Sequence, residues 1–124
     1  MLFELVSREP DPGVLSWAAG VSGIIISVIT VEEIACGLAA HPNPRVQEAV
    51  AALLDEQCTV LDVTAAVAAR AGRLRSDLRR RGLIRTQADM LIAATALEHR
   101  LPVVTRDVRD FEGLGIPLLN PFSP

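Results

Sequence analysis

The chain has 124 residues, half of them hydrophobic, with a formal net charge of −3 and a pI near 5.3. That is one domain, 1–124, with enough apolar mass to form a core without disulfides or a structural metal, and it excludes a disordered chain. All 12 basic residues are arginine, which excludes Schiff-base and P-loop lysine chemistry; the acidic balance argues against a strongly basic nucleic-acid binder, and three Phe, one Trp and no Tyr argue against a base-stacking platform.

Pro12 to Val31 carries no charge over 20 residues, long enough to span a bilayer. It is nevertheless broken by Pro, Gly and Ser and splits into two patterns, so no membrane span is expected. Pro12–Ala19 has helical spacing, and Ile24–Ile29 is a β-branched run that reads as a strand buried on both faces. Glu4 and Glu9 stand where a signal peptide would have its basic region.

Thr30 is expected to open a helix ending near Ala40, where Pro42 and Pro44 break it. Pro44 then suits the first turn of a helix over 45–56. Cys58–Val63 reads as a second strand. Thr64 caps an Ala- and Arg-rich helix ending at Gly82, and Thr86 caps another over 87–99. Pro102–Thr105 and Ile116–Leu119 complete the strands. Apolar, non-alternating strands separated by helices imply a parallel sheet covered on both faces, a three-layer α/β/α domain. Cys36 and Cys58 form no CxxC or Cys/His cluster and read as buried, reduced thiols. His41 and His99 fall in a loop and at a helix end, as surface or capping residues.

In such sheets ligands bind at the carboxyl ends of strands. Glu32 and Glu33 follow the first strand, Asp89 opens the Thr86 helix, and Asp107 and Asp110 follow the third strand. Thr30–Glu33 and Thr86–Asp89 also have the spacing of a helix-capping box. Each acid alone therefore fits a cap or a turn. Together at one sheet edge they would repel each other unless a cation neutralised them. Mg²⁺ or Mn²⁺ is suited to carboxylate oxygens and to phosphodiester hydrolysis. Arg73, Arg75, Arg79, Arg80, Arg81 and Arg85 crowd one helix and its exit loop, either as a solvated face or as a track for a nucleic-acid backbone.

Four segments resemble the PIN-domain family, and within it the VapC-type toxins with their FitB-like branch. Ser27-Val-Ile-Thr-Val-Glu-Glu-Ile-Ala-Cys-Gly37 resembles the family's S-x-I-T-x-x-E-[IL]-x-x-G. Gln87-Ala-Asp-Met-Leu-Ile-Ala-Ala94 resembles A-D-x-x-I-A-A. Val104-Thr-Arg-Asp-Val-Arg-Asp-Phe111 resembles V-T-[RN]-[ND]-x-x-D-F, and the tail Gly113–Phe122 resembles the usual G-[LV]-x-[VI]-x-N-P-[WF] ending. The resemblance implies a cytoplasmic, Mg²⁺- or Mn²⁺-dependent endoribonuclease toxin of a type II toxin–antitoxin pair, with RNA as substrate, a cognate antitoxin and a homodimeric state. It implies Glu33, Asp89 and Asp107 as catalytic metal ligands, Asp110 as a further metal-binding acid and Thr105 as a polar neighbour. On the track reading of the arginine cluster, Arg79, Arg80, Arg81 and Arg85 are the RNA contacts. The competing reading is a degenerate PIN domain acting as an antitoxin-binding or dimerisation module.

One segment departs from the pattern. Relatives open with a central strand ending L-D-T-N-x-[LI], whose Asp is a metal ligand, whereas this chain opens Met1-Leu-Phe-Glu-Leu-Val6. The expectation is a gap between the 24–29 and 102–105 strands and weak nuclease activity. The natural protein is then expected to start upstream, or else another segment or chain fills the gap. An unfilled gap would leave strand backbone groups without partners.

Overall fold

A computed structural model describes residues 1–124. Asp11 starts the first substantial helix: its carboxylate accepts the N–H groups of Gly13 and Val14 at 2.8 and 3.2 Å, and Pro12 supplies a pre-set φ at the first helical position. The helix, α2 (Pro12–Ala19), follows a single-turn helix α1 (Leu2–Leu5) that the sequence pattern does not announce. β1 (Ile24–Ser27) leads directly into α3 (Val28–Ala40) and α4 (Pro44–Gln57). β2 (Cys58–Leu61), α5 (Ala65–Arg80) and α6 (Gln87–Glu98) follow. β3 (Val103–Val104), a 3₁₀ turn (Val108–Phe111) and β4 (Leu118–Leu119) end the chain.

The expected caps hold at Thr64 and Thr86, whose hydroxyls accept the N–H groups of Val67 and Asp89. The first strand is shorter than expected. Its ladder with β2 ends at Ser27, opposite Leu61, and the Ser27 hydroxyl accepts the Ile29 N–H at 3.1 Å. Val28 and Ile29 therefore enter α3, and Ser27, not Thr30, is the cap. Leu78 and Met90 have no exposed surface where α5 packs along α6. Truncating Leu78 to Ala would cost about 2–5 kcal/mol.

The strands are parallel but form two separate pairs. β1 pairs only with β2, from Ile24 opposite Cys58 to Ser27 opposite Leu61. β3 pairs only with β4, Val103 opposite Leu118 and Val104 opposite Leu119. The core divides in the same way. One cluster joins α5, α6, β3 and the 3₁₀ turn around Leu78, Met90 and Phe111. The other joins α1, β1, α3 and α4 around Leu2, Ile26, Ile34 and Val50. Ile24 and Ile26 on one side and Val103 and Phe111 on the other line a cavity of about 410 Å³, which is the gap expected between these strands.

Candidate functional site

The carboxyl ends of β1 and β3 open onto one end of this cavity. Glu33 reaches it from α3, Asp89 from α6, and Asp107 and Asp110 from the segment after β3; Thr30 and Thr105 lie beside them. Four acids and two threonines, spread over 81 positions from Thr30 to Asp110, thus share one site.

Each is set by local chemistry. Glu33 lies beyond the first turn of α3, which contains no acid, so the capping-box alternative does not apply to it. Asp89 is in the first turn of α6, where a carboxylate is favoured by the helix dipole. It therefore serves the helix end and the cavity together. Thr105 accepts the Asp107 N–H at 3.0 Å, and the Asp110 N–H donates to the Asp107 carbonyl at 3.1 Å. These two bonds fold the loop that displays both acids.

Glu33 and Asp89 have raised proton affinity. Burial pushes the Glu33 carboxyl above its ordinary value, and Asp89 and Glu32 push it further. Burial also raises Asp89, against the Thr86 hydrogen bond, with Asp110 and Asp107 adding to the rise and Arg85 opposing it. None of the four forms a salt bridge. The donor set is therefore hard, oxygen-rich and free of ion pairs, the chemistry a Mg²⁺- or Mn²⁺-sized cation requires. The side chains are splayed, however: no three acidic, histidine or cysteine groups stand close enough together to hold one ion.

The arginines divide into two kinds. Arg79 and Arg80 are exposed at the end of α5, and Arg80 makes only a loose pair with Asp77 at 3.5 Å. Arg81 donates to the Gly113 carbonyl at 3.3 Å. Arg85 donates to the carbonyls of Asp110 and Arg109 at 3.0 and 3.1 Å. Arg81 and Arg85 thus brace the C-terminal loops, and Arg85 grips the one that carries Asp107 and Asp110. Sequence grouping alone placed all four on a single track, because a contact to a distant backbone carbonyl leaves no mark in the pattern.

The histidines sit where expected, His41 at the end of α3 and His99 at the end of α6. The cysteines do not. Cys36 is exposed and Cys58 only half-buried, both as free thiols, because Cys36 falls on the outward side of α3. No helix is long and apolar enough to cross a membrane.

The sequence matches the PIN-domain family over residues 1–116. The chain belongs to the PIN-domain family. It is 34% identical to a VapC ribonuclease, Y4jK, of Sinorhizobium fredii, over the whole of this chain and 94% of that protein. It is 28% identical to toxin FitB of Neisseria gonorrhoeae, over 98% and 94% of the two chains. In three dimensions it resembles the crystal structure of FitAcB from Neisseria gonorrhoeae, with a TM-score of 0.81, 28% identity, and coverage of 97% of this chain and 92% of that one. A DNA-bound VapBC from Salmonella typhimurium gives 0.72 at 26% identity, covering 94% and 89%. This PIN domain keeps the family's parallel α/β fold with its acidic cavity, while its strands stand as two pairs.

Proposed function

We propose that this PIN domain is a divalent-metal-dependent endoribonuclease toxin of a toxin–antitoxin pair, working in the cytoplasm as a homodimer. The observation that carries this reading is the convergence of Glu33, Asp89, Asp107 and Asp110 on one cavity at the carboxyl ends of parallel strands. The likeness to chains named VapC ribonuclease and FitB, and to their complexes, supports the toxin role and a cognate antitoxin as partner.

Glu33, Asp89 and Asp107, with Asp110 beside them, are the acids that would hold Mg²⁺ or Mn²⁺, and they would have to turn inwards to do so, since no three of them stand close enough to share an ion. When bound, the ion supplies charge neutralisation at the scissile phosphate and a water of lowered pKa. The chain's own residues supply position. Thr105 and Arg85 fix the loop that presents Asp107 and Asp110. Asp89 holds its acid at a helix start, and Arg79 and Arg80 offer exposed guanidinium groups to the RNA backbone. No side-chain nucleophile is required.

The test is cleavage of a mixed single-stranded RNA with Mg²⁺, with Mn²⁺ and with EDTA. Cleavage is expected with either metal, to stop in EDTA and to fall at least about a hundredfold in Asp89→Asn, the scale of losing a group that stabilises transition-state charge. Cleavage that persists in EDTA or survives Asp89→Asn overturns the reading. The splayed acids favour one second reading, a domain that binds an antitoxin without cutting RNA. Absence of any metal-dependent cleavage alongside intact antitoxin binding would decide for it.

A further inference from the structure

Arg106 stands between two residues of the acidic mouth and stays out of it. Its chain neighbours Thr105 and Asp107 line the cavity, and Arg106 does not. Asp110 follows it by four positions. An arginine so placed, beside acids that have no ion-pair partner, is their natural counter-ion. Yet Arg106 forms no salt bridge. Its guanidinium carbon lies 4.6 Å from the centre of the Phe122 ring instead, within the range at which the negative face of an aromatic ring attracts a cation.

The ring is fixed where Arg106 can reach it. The backbone bonds between the β3 and β4 segments end with the Thr105 N–H on the Leu119 carbonyl at 2.9 Å. Beyond that bond the two stretches part, with Arg106 on one and residues 120–123 on the other. The Asn120 side chain accepts the Phe122 N–H at 3.0 Å. Asp11 accepts both the N–H and the hydroxyl of Ser123. Pro121 passes so close to Gly13 that a Cβ there would collide with its carbonyl. Phe122 is thus held from both sides and is half-buried, so little entropy is lost when its ring takes up the guanidinium.

The loop does not need the stack for its shape. Thr105 already accepts the Asp107 N–H, and Arg85 already grips the carbonyls of Asp110 and Arg109. What the stack decides is where the Arg106 charge goes. An exposed cation–π contact and an exposed ion pair are of similar strength, so loss of the ring is enough to send the guanidinium to the acids.

We propose that Phe122 is a positioning residue for the acidic site: by holding Arg106 over its ring, it keeps that charge off Asp107 and Asp110 and leaves both carboxylates open to a divalent cation. This role rests on the reading of the mouth as a divalent-metal site.

The probe is Mn²⁺, titrated by calorimetry into the full chain and its variants, alongside NMR of the Arg106 side chain without metal. In the parent, the Arg106 side-chain protons are expected upfield of their ordinary positions, under the ring current of Phe122. Phe122→Leu keeps an apolar filler. It is expected to lose that shift, to bring Arg106 into proton–proton contact with Asp107 or Asp110, and to bind Mn²⁺ about fivefold more weakly, the scale of an exposed cation–π contact. Phe122→Tyr keeps the ring and should bind like the parent. Arg106→Met alone should bind Mn²⁺ at least as tightly as the parent, and added to Phe122→Leu it should restore the lost affinity. A purely structural role for Phe122 would give no such restoration. Four results overturn the proposal: unshifted Arg106 protons in the parent; parent-like affinity in Phe122→Leu; a double variant that binds no more tightly than Phe122→Leu; or weaker binding by Arg106→Met, which would make the stack a tie for the loop. Absence of Mn²⁺ binding by the parent would instead sink the metal reading itself, and this role with it.

Discussion

Asp11 and Ser123 lie 112 positions apart and are joined by two hydrogen bonds. The Asp11 carboxylate accepts the Ser123 backbone N–H at 2.9 Å and its hydroxyl at 2.7 Å, while the same side chain caps α2. One acid therefore both starts a helix and ties the C-terminal tail to it. The Ser123 bonds are the chief cause of a lowered Asp11 pKa.

Because the folded state holds this carboxylate in its charged form, the stability it contributes is present above the unfolded pKa and lost as pH falls through the folded one. Asp11→Ala is expected to lower Tm at neutral pH and to leave little difference from the parent in strong acid, as thermal melts across pH would show. Ser123→Ala keeps the cap and loses the tie, so its effect should be smaller. Gly13→Ala should be worse than Ser123→Ala: an added Cβ would collide with the Pro121 carbonyl and stand 2.7 Å from the Ser123 nitrogen, backbone that cannot easily yield.

Arg85 gives a second test, which separates positioning from RNA contact. Its guanidinium spans the carbonyls of Asp110 and Arg109, a two-point grip that a lysine ammonium cannot reproduce. Arg85→Lys is expected to cost about 1 kcal/mol, the usual net worth of such a bond, and to speed hydrogen exchange at the Asp110 amide. RNA cleavage should fall more in kcat than in KM. Arg79→Ala with Arg80→Ala should do the reverse. It should leave stability nearly unchanged, weaken RNA binding, and flatten its salt dependence by about 1.4 in log–log slope, at about 0.7 per phosphate on a single strand.

The acid cluster makes a prediction of opposite sign to that for Asp11. Burial, with Asp110 and Asp107, raises the Asp89 pKa, so the folded state binds the proton more tightly than the unfolded chain. Stability then falls as pH rises from the ordinary Asp value of 3.8 through the raised one. Asp89→Asn keeps an acceptor for the α6 cap and removes the charge. At pH 7 it should raise stability by ~0.5 kcal/mol, modest because water screens the site, and the gain should vanish below pH 3.8. Mg²⁺ should raise the Tm of the parent and not of the variant, as calorimetry with and without the ion would show. A lower Tm for Asp89→Asn at pH 7 would mean that the carboxylate serves the fold alone.

What could be read from the sequence was local or periodic. Pro44, Thr64 and Thr86 mark helix starts because a cap or a first turn needs only its own residues. The acids at strand ends followed from the parallel-sheet rule, and the gap beside Ile24–Ile26 from an opening segment that does not match the family pattern. The rest depended on partners far along the chain. The strand pairing that ends at Leu61 left Ser27 as the cap of α3 and so released Glu33 from a capping role. The Asp11–Ser123 tie and the Arg85 grip involve backbone atoms, which carry no residue-type signal. Cys36 was misplaced because α3 buries only Ile34 fully, too narrow a stripe to show which side faces outwards.

The end of α6 stores strain that can be measured. Arg100 has φ +53, the only positive value outside glycine. It sits where the chain leaves the helix, with the Leu101 N–H bonded to the Ala96 carbonyl at 2.9 Å and its own N–H to that of Leu97 at 3.3 Å. This is the Schellman pattern, which normally places glycine at that position. The end of α5 shows the same pair of bonds, from Leu83 to Leu78 and from Gly82 to Arg79, with Gly82 at φ +80. The left-handed conformation costs a side-chain-bearing residue about 1 kcal/mol, and the exposed Arg100 side chain makes no hydrogen bond or salt bridge that would offset it. Arg100→Gly should therefore stabilise the protein by about 0.5–1 kcal/mol, less whatever glycine adds to the entropy of the unfolded chain. Gly82→Ala should destabilise by a similar amount. Urea melts of the two variants, read for midpoint at constant slope, would check the pair, and a destabilised Arg100→Gly would show that the arginine side chain contributes more to the folded state than its backbone strain removes.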